Sequence, residues 1–199
     1  MKKIFILLAG VITITSSCGK LCLTDTAFNF DISVKAYPDR DSIRIGDTIW
    51  LEINAPTSLQ DVSSKKIVDY SRTENLGSAI GFERITIGNP IASANSFNYI
   101  LITGIQVSNP NTTQIREFLF VQSNYSFAFK LGIIPKEKGV FGIGFSNAAN
   151  VYRNSDKCTK ALFQINFENT SQHYYLNPYI NKTNTDTTKA SGSYYFKVY

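Results

Sequence analysis

The stretch FNFDISVKAY, residues 28 to 37, indicates the fold most clearly. Its apolar residues alternate strictly with polar ones; they are Phe28, Phe30, Ile32, Val34 and Ala36. Successive side chains of a β-strand point to opposite faces of a sheet. This period of two therefore predicts a strand with one face in a core and the other in solvent.

Similar short runs, separated by turn residues, continue from this strand to the C-terminus. The clearest are 48–55, 82–87, 97–107, 115–122, 125–134, 140–145, 161–168 and 194–199. We expect 97–107 to be one strand, and 115–122 to form a hairpin with 125–134 around Ser123 and Asn124. A short helix is expected near residues 171–176, and no longer segment has a helical period. The pattern predicts an all-β fold, an antiparallel β-sandwich.

The N-terminus has the order of a secretory signal. Lys2 and Lys3 give a positive start, Ile4 to Ile14 is apolar, and Thr15-Ser16-Ser17-Cys18 is a small-residue site. The apolar run of about 11 residues is shorter than the roughly 20 that a membrane-spanning helix needs. We predict a signal peptide at 1–17, an anchor and tether at 18–27, and a single sandwich domain at 28–199.

The charge balance argues against a nucleic-acid partner. Removing Lys2 and Lys3 with the signal leaves 18 Lys and Arg against 15 Asp and Glu, a net charge of +3. The basic residues form no stripe along the sequence, which a nucleic-acid-binding surface would require.

The site around Cys18 resembles the lipobox of bacterial lipoproteins, and its Ser-Ser-Cys ending resembles that of Bacteroidetes lipoproteins. The resemblance implies cleavage before Cys18, acylation of that cysteine by fatty acids such as palmitate, and membrane attachment. Gly19 follows the cysteine, which by analogy with the sorting rule of enteric bacteria implies the outer membrane. The membrane face stays open, and an ordinary signal with an incidental cysteine is the alternative.

The segment DSIRIGDTIWL, residues 41 to 51, resembles the first strands of bacterial immunoglobulin-like domains. In those domains a short edge strand, a Gly-Asp turn and a core strand follow one another. The resemblance implies an immunoglobulin-like sandwich and no particular activity.

Residues that carry catalytic chemistry are sparse. His173 is the single histidine, and we expect it at the surface. No ligand cluster for a metal and no phosphate-binding or dinucleotide-binding motif occurs, so we expect no metal and no cofactor. Gly142 and Gly144 are interpreted as strand glycines that permit close packing. A carboxylate pair from distant strands leaves no motif, so a hydrolase stays open as the alternative function.

Aromatic residues and cysteines supply the remaining candidate sites. Trp50 shares a strand face with Glu52, opposite Ile49 and Leu51, so we expect it on an outer face where an indole binds ligands. Tyrosines crowd the C-terminal part, and three are candidate contact residues; these are Tyr174, Tyr175 and Tyr179. For all four aromatic residues, a packing role is the alternative.

Cys22 and Cys158 are predicted to form a disulfide, since export permits one, and two free thiols are the alternative. Four positions resemble the Asp-Ser/Thr sites of Bacteroidetes O-glycosylation, with turn chemistry as the alternative; they are Thr26, Ser42, Thr48 and Thr187. We expect a lipid-anchored, non-catalytic module that binds a glycan, a protein or another envelope component.

Overall fold

The computed structural model describes residues 26–73, 75–107, 112–154, 156–168, 172–178 and 192–199. Strands dominate these residues, with two three-residue 3-10 helices at Ala94–Ser96 and Tyr174–Leu176. The second lies inside the helix expected near 171–176. No helix of the described residues is long and apolar enough to cross a membrane. In chain order the strands are β1 (Thr26–Tyr37), β2 (Ser42–Ile43), β3 (Ile49–Pro56), β4 (Ser58–Gln60), β5 (Ile67–Asp69), β6 (Gly77–Ile85), β7 (Ile91–Ala92), β8 (Phe97–Thr103), β9 (Ile105–Gln106), β10 (Ile115–Leu119), β11 (Val121–Gln122), β12 (Ser126–Pro135), β13 (Gly139–Phe145), β14 (Ala148–Arg153), β15 (Asp156–Phe167) and β16 (Ser193–Val198).

Two sheets account for almost all of the described strands. Sheet one has the order β11-β12-β3-β1-β15-β14, with β8 also beside β12. Sheet two has the order β2-β16-β13-β6-β10-β9, with β7 also beside β6. β4 and β5 pair with each other as a separate ribbon.

The inward faces of the two sheets share one aromatic-rich core. Phe129 of sheet one has its ring centroid 5.4 Å from that of Phe118 and 6.2 Å from that of Phe145, both in sheet two. The alternation predicted for 28–37 is confirmed, since the even-numbered residues from Phe30 to Ala36 are buried and Phe28 is partly buried against the core. The predicted all-β sandwich is therefore confirmed.

Two strand pairs are parallel, so the sheets are mixed and the expectation of purely antiparallel pairing was wrong for these pairs. β1 pairs with β15 in parallel from Thr26 to Val34, and β16 pairs with β2 in parallel. A parallel pair needs a long crossover connection. The chain between β1 and β15 supplies that connection, because it builds most of both sheets before it returns.

The chain crosses between the sheets at two points that were predicted to be continuous strand or hairpin. β8 belongs to sheet one and β9 to sheet two, and Gly104 between them has a φ of +132°, which favours glycine. β10 belongs to sheet two and β11 to sheet one, with the buried Phe120 between them. Only β11 and β12 form the predicted hairpin, and residues 97–107 are two strands.

The arrangement expected from the segment 41–51 is confirmed. β2 lies at the edge of sheet two, and β3 lies inside sheet one. The turn between them contains Gly46 with a φ of +86°, and the Asp47 carboxylate accepts a 2.8 Å hydrogen bond from the Arg44 amide.

Candidate functional site

A cleft lies on sheet one, where two neighbouring strands separate. β1 and β3 pair only between Lys35–Tyr37 and Trp50–Glu52. β1 nevertheless pairs with β15 as far back as Thr26, and β3 pairs with β12 out to Pro56. A cleft of about 610 Å³ therefore opens between β1 and β3 beyond the Lys35–Glu52 pair. We call it the β1–β3 cleft.

The β4–β5 ribbon closes the far end of this cleft. The Val62 amide donates a 2.8 Å hydrogen bond to the Asn29 carbonyl of β1. The Asn29 amide in turn donates a 2.8 Å hydrogen bond to the Asp61 carboxylate. Leu59 of the ribbon, 7% exposed, lines the cleft together with Ile32 and Ala55 of the core strands. The cleft thus has an apolar floor and fixed ends.

Polar side chains form the walls of the cleft. Those from β1, β3 and the end of β15 are Asp31, Ser33, Lys35, Tyr37, Glu52, Asn54 and Glu168. The Glu168 amide donates a 2.9 Å hydrogen bond to the Val34 carbonyl, which places this residue beside Lys35. The register continues this row through Glu52 to Lys130 of β12, so charges alternate in sign across four strands. Carboxylate, amide and hydroxyl groups at one cleft are suited to a ligand with many hydroxyls.

An aromatic pair adjoins the cleft on the outer face of sheet one. Tyr37 and Trp50 are cross-strand partners, and the Lys130 ammonium lies 5.4 Å from the Tyr37 ring centroid and 5.5 Å from that of Trp50. Trp50 is half-buried and lies opposite the buried Ile49 and Leu51, so its predicted position on an outer face agrees with the structure. We call Tyr37, Trp50 and Lys130 the aromatic platform.

Glu52 is held at the junction of the cleft and the platform. The Tyr37 hydroxyl donates a 2.6 Å hydrogen bond to its carboxylate, and the Lys130 ammonium lies 3.4 Å away. The Tyr37 hydrogen bond, and next the Lys130 charge, lower the pKa of the Glu52 carboxyl. This carboxylate is consequently ionised and paired near neutral pH, which suits positioning and not proton donation.

Gly132 of β12 lets the Trp50 indole lie close to the sheet. A Cβ built at Gly132 would lie 2.8 Å from Trp50 Cζ3 and 3.1 Å from Thr48 Cγ2. We expect Gly132→Val to displace the indole and to destabilise the protein by about 1–3 kcal/mol through overpacking. Because Trp50 is the only tryptophan of the chain, its fluorescence maximum should move to longer wavelength.

Ala128→Val is the matched control for this change. Ala128 lies on the same face of β12, four residues before Gly132, opposite Asn54 instead of Trp50. It should leave the fluorescence maximum in place. An unchanged maximum and stability in Gly132→Val would contradict the packing described for the indole.

The C-terminal tyrosines lie beside sheet two and are not joined to the platform. Tyr174 is half-buried, with its ring centroid 6.0 Å from that of Tyr195 in β16. Tyr175 is 58% exposed and its hydroxyl donates to the Asp41 carboxylate. Tyr179 lies outside the described residues. Of the predicted contact tyrosines that are described, Tyr175 alone is mainly exposed.

The expectation that His173 is a surface residue was wrong. Its side chain is 6% exposed, its Nδ1 lies 2.9 Å from the Tyr195 carbonyl, and its Nε2 lies 3.7 Å from the Asp39 carboxylate. The surrounding polar sequence gave no indication of burial, because the packing against β16 comes from a distant part of the chain. No three His, Cys, Asp or Glu side chains in the described ranges are grouped closely enough to hold a metal ion.

The other predicted site residues are scattered or lie outside the described ranges. Cys158 of β15 is disulfide-bonded. Its pairing with Cys22 stays a prediction, as does the acylation of Cys18. Ser42 donates a 2.9 Å hydrogen bond to Asp41 and is half-buried. Thr48 is half-buried before β3, Thr26 is the first residue of β1, and Thr187 lies outside the described residues.

The close packing predicted for two strand glycines is found at Gly142 and, less tightly, at Gly144. A Cβ at Gly142 would lie 2.6 Å from Tyr195 Cε1 and 2.7 Å from Glu83 Oε1, so these side chains close over the backbone there. At Gly144 the nearest atom would be Ser193 Oγ at 3.0 Å.

The sequence interpretation missed the cleft residues Asp31, Asn54 and Glu168. Asp31 was visible on the polar face of 28–37, but a polar strand face is ordinarily just solvated. What makes a cleft of this face is the loss of pairing between β1 and β3, which depends on strands far apart in the sequence.

No protein-family model matches the chain, and no curated protein matches it. Among solved structures, the chain is similar to a type II cohesin domain from the cellulosome of Acetivibrio cellulolyticus. The identity is 10%, the match covers 59% of this chain and 76% of that one, and the TM-score is 0.24.

Proposed function

We propose that this chain is a lipid-anchored protein of the bacterial cell envelope that binds a glycan, without catalysis, in the β1–β3 cleft. The observation that carries the proposal is the cleft itself, about 610 Å³ in volume and walled by carboxylate, amide and hydroxyl side chains. Ligand sites are typically concave, with an apolar floor and a few converging polar groups. The lipobox-like site at Cys18 supports the envelope location.

A glycan fits the chemistry of this surface better than an apolar ligand does. The hydroxyls of a sugar require many hydrogen-bonding partners, and Asp31, Ser33 and Asn54 are exposed along the two walls. Sugar rings also present C–H faces that pack on aromatic rings. Tyr37 lies both in the cleft wall and in the aromatic platform, so a chain of sugars could extend from one to the other.

A hydrolase is the second candidate, because Asp31, Glu52 and Glu168 line the same cleft. Glycoside hydrolysis requires one carboxyl that is protonated and another that is ionised. Glu52 does not fit the first role, since Tyr37 and Lys130 lower its pKa. The pairing that holds Glu52 favours binding over catalysis.

The test is a glycan array with the purified full-length protein, followed by calorimetry with the best ligand. We expect the double variant Asp31→Asn, Asn54→Ala to bind that ligand at least tenfold more weakly, a loss of about 1.4 kcal/mol or more. Both side chains are exposed, so the melting temperature should change little. Asn89→Ala in the turn after β6, exposed and outside the cleft, is the matched control.

Two outcomes would reject the proposal. Binding that is unchanged in the double variant would place the glycan outside the β1–β3 cleft. An absence of binding to any arrayed glycan would contradict the proposal that the ligand is a glycan. Steady release of reducing ends from the bound glycan, lost in Asp31→Asn or Glu168→Gln with folding intact, would establish the hydrolase instead.

A further inference from the structure

A second pocket lies between the two sheets at the edge of the sandwich formed by β8, β9 and β10. Its volume is about 520 Å³, and we call it the edge pocket. Its lining combines two aromatic side chains of β8, Phe97 and Tyr99, with two cationic ones, Arg116 of β10 and Lys136. It shares no lining residue with the β1–β3 cleft.

Arg116 is the unusual residue of this pocket. It occupies an inward position of β10, in line with Phe118, and is 3% exposed. Its guanidinium carbon lies 5.4 Å from the Tyr99 ring centroid. An arginine is rarely buried unless an opposite charge compensates it, because removing the charge from water is costly.

The hydrogen bonds of Arg116 give its N–H donors acceptors but do not neutralise its positive charge. One terminal nitrogen donates to the Ile115 carbonyl at 2.9 Å and to the Thr112 hydroxyl at 3.0 Å, and also to the Thr112 carbonyl. The other donates to the Asn95 side-chain oxygen at 2.8 Å. All of these acceptors are neutral, and within the described ranges no carboxylate forms an ion pair with Arg116.

The carboxylate next in sequence to the pocket residue Lys136 is directed elsewhere. Glu137 accepts hydrogen bonds from Ser96 Oγ and, at 3.3 Å, from Arg84. Its neighbour Lys136 is exposed and adds a second positive charge to the pocket lining. The polar groups that complete the lining are uncharged amides, Asn95, Asn98 and Gln106.

We propose that the edge pocket binds the carboxylate or phosphate group of a small ligand through Arg116 and Lys136. The planar guanidinium matches two oxygens of either group. The pocket lining carries two positive charges and no negative one, so an anionic ligand would balance them. The amides can bond to hydroxyls of the same ligand, and Tyr99 and Phe97 provide an apolar wall. An acidic sugar or a sugar phosphate combines these features. The inference is independent of glycan binding in the β1–β3 cleft.

The experiment measures the melting temperature of the full-length protein with three related probes at equal ionic strength. The probes are glucuronate, glucose 6-phosphate and glucose, which differ in the anionic group. A ligand that binds the native state raises the melting temperature. We expect one or both anions to raise it in a saturable way and glucose to leave it unchanged. The larger shift identifies the carboxylate or the phosphate as the preferred group.

Variants then assign the effect to the pocket. Arg116→Met should abolish the shift, and Lys136→Ala should weaken apparent affinity about fivefold, as expected for one solvent-exposed charge. Lys138→Ala is the control, since Lys138 is exposed two residues away but does not line the pocket. If Arg116→Met does not fold, the comparison of Lys136→Ala with Lys138→Ala decides the question.

The proposal fails if neither anion raises the melting temperature above the value in sodium chloride of equal ionic strength. It also fails if Lys138→Ala weakens the effect as much as Lys136→Ala, because the response would then be non-specific. Binding of the three probes with equal affinity would show that the anionic group is not recognised.

Discussion

Tyr70→Ala is expected to lower the free energy of unfolding by about 3–5 kcal/mol, the cost typical of removing a large buried aromatic side chain. Tyr70 follows β5 and is 0% exposed. Its ring centroid lies 5.2 Å from that of Phe30 and 5.6 Å from that of Phe163. Together with Leu59, this side chain therefore packs the β4–β5 ribbon on the core beneath β1 and β15.

The Tyr70 hydroxyl adds a polar contribution at the same place. It donates to the carbonyls of Val151 at 3.0 Å and Thr159 at 3.3 Å, which belong to β14 and β15. Burial raises the pKa of Tyr70 to about 12, so the hydroxyl stays a donor at every physiological pH. Tyr70→Phe keeps the ring and removes the donor, so it should cost about 1 kcal/mol.

Denaturant unfolding followed by Trp50 fluorescence measures both changes. Tyr125→Ala is the control, because Tyr125 is 84% exposed and should be close to neutral. A Tyr70→Ala variant as stable as Tyr125→Ala would contradict the packing described for this ribbon. Since the ribbon closes the β1–β3 cleft, Tyr70→Ala should also weaken any ligand bound there.

The sequence was sufficient to predict the strands whose two faces differ in polarity. Alternation in 28–37 and 48–55 locates β1 and β3 and identifies their buried residues, because each strand has one face on the core. β14 was missed, since its sequence AANVYR has no clear alternation. The ribbon strand β4 was missed because its three residues are too few to establish a period.

Alternation could not show where the chain passes from one sheet to the other. Arg116, Phe118 and Phe120 occupy alternate positions of the sequence and are all buried. Buried residues again occupy alternate positions in β12, after the chain has crossed to the other sheet. Both sheets face the same core, so the period of two persists while the strand changes its partner. Gly104 was the one local signal at a crossing, and a single glycine in a strand pattern also has other causes.

The two sites differ in how far the sequence could have revealed them. The β1–β3 cleft depends on long-range register, which alternation does not encode. Arg116 had a detectable signal, because an arginine at an inward position beside Phe118 conflicts with the strand pattern. Such conflicts between local pattern and fold are expected at functional sites. Burial of His173 had no comparable signal, since its segment is irregular.

Cys18→Ala is expected to release the protein from the membrane fraction almost completely. One acyl chain binds a membrane only marginally and reversibly, so stable attachment depends on several chains carried by the same cysteine. Because the variant has no thiol at position 18, it should incorporate no labelled palmitate in its native host. It should also retain its signal or be cleaved at another bond, which intact mass measurement of the product would show.

Cys22→Ser is the matched control for the anchor, because it removes the cysteine predicted to pair with Cys158 and leaves the acylated position unchanged. It should stay in the membrane fraction and incorporate palmitate like the parent. A Cys18→Ala protein that fractionates and matures like the parent would contradict the lipoprotein hypothesis. The proposed anchor also matters for the proposed binding role. Many tethered copies on one surface can bind one glycan polymer at several points, so the polymer is retained even when each contact is weak. Release of the protein should therefore abolish capture of a glycan polymer by cells while leaving the affinity of the purified protein for a short oligosaccharide unchanged.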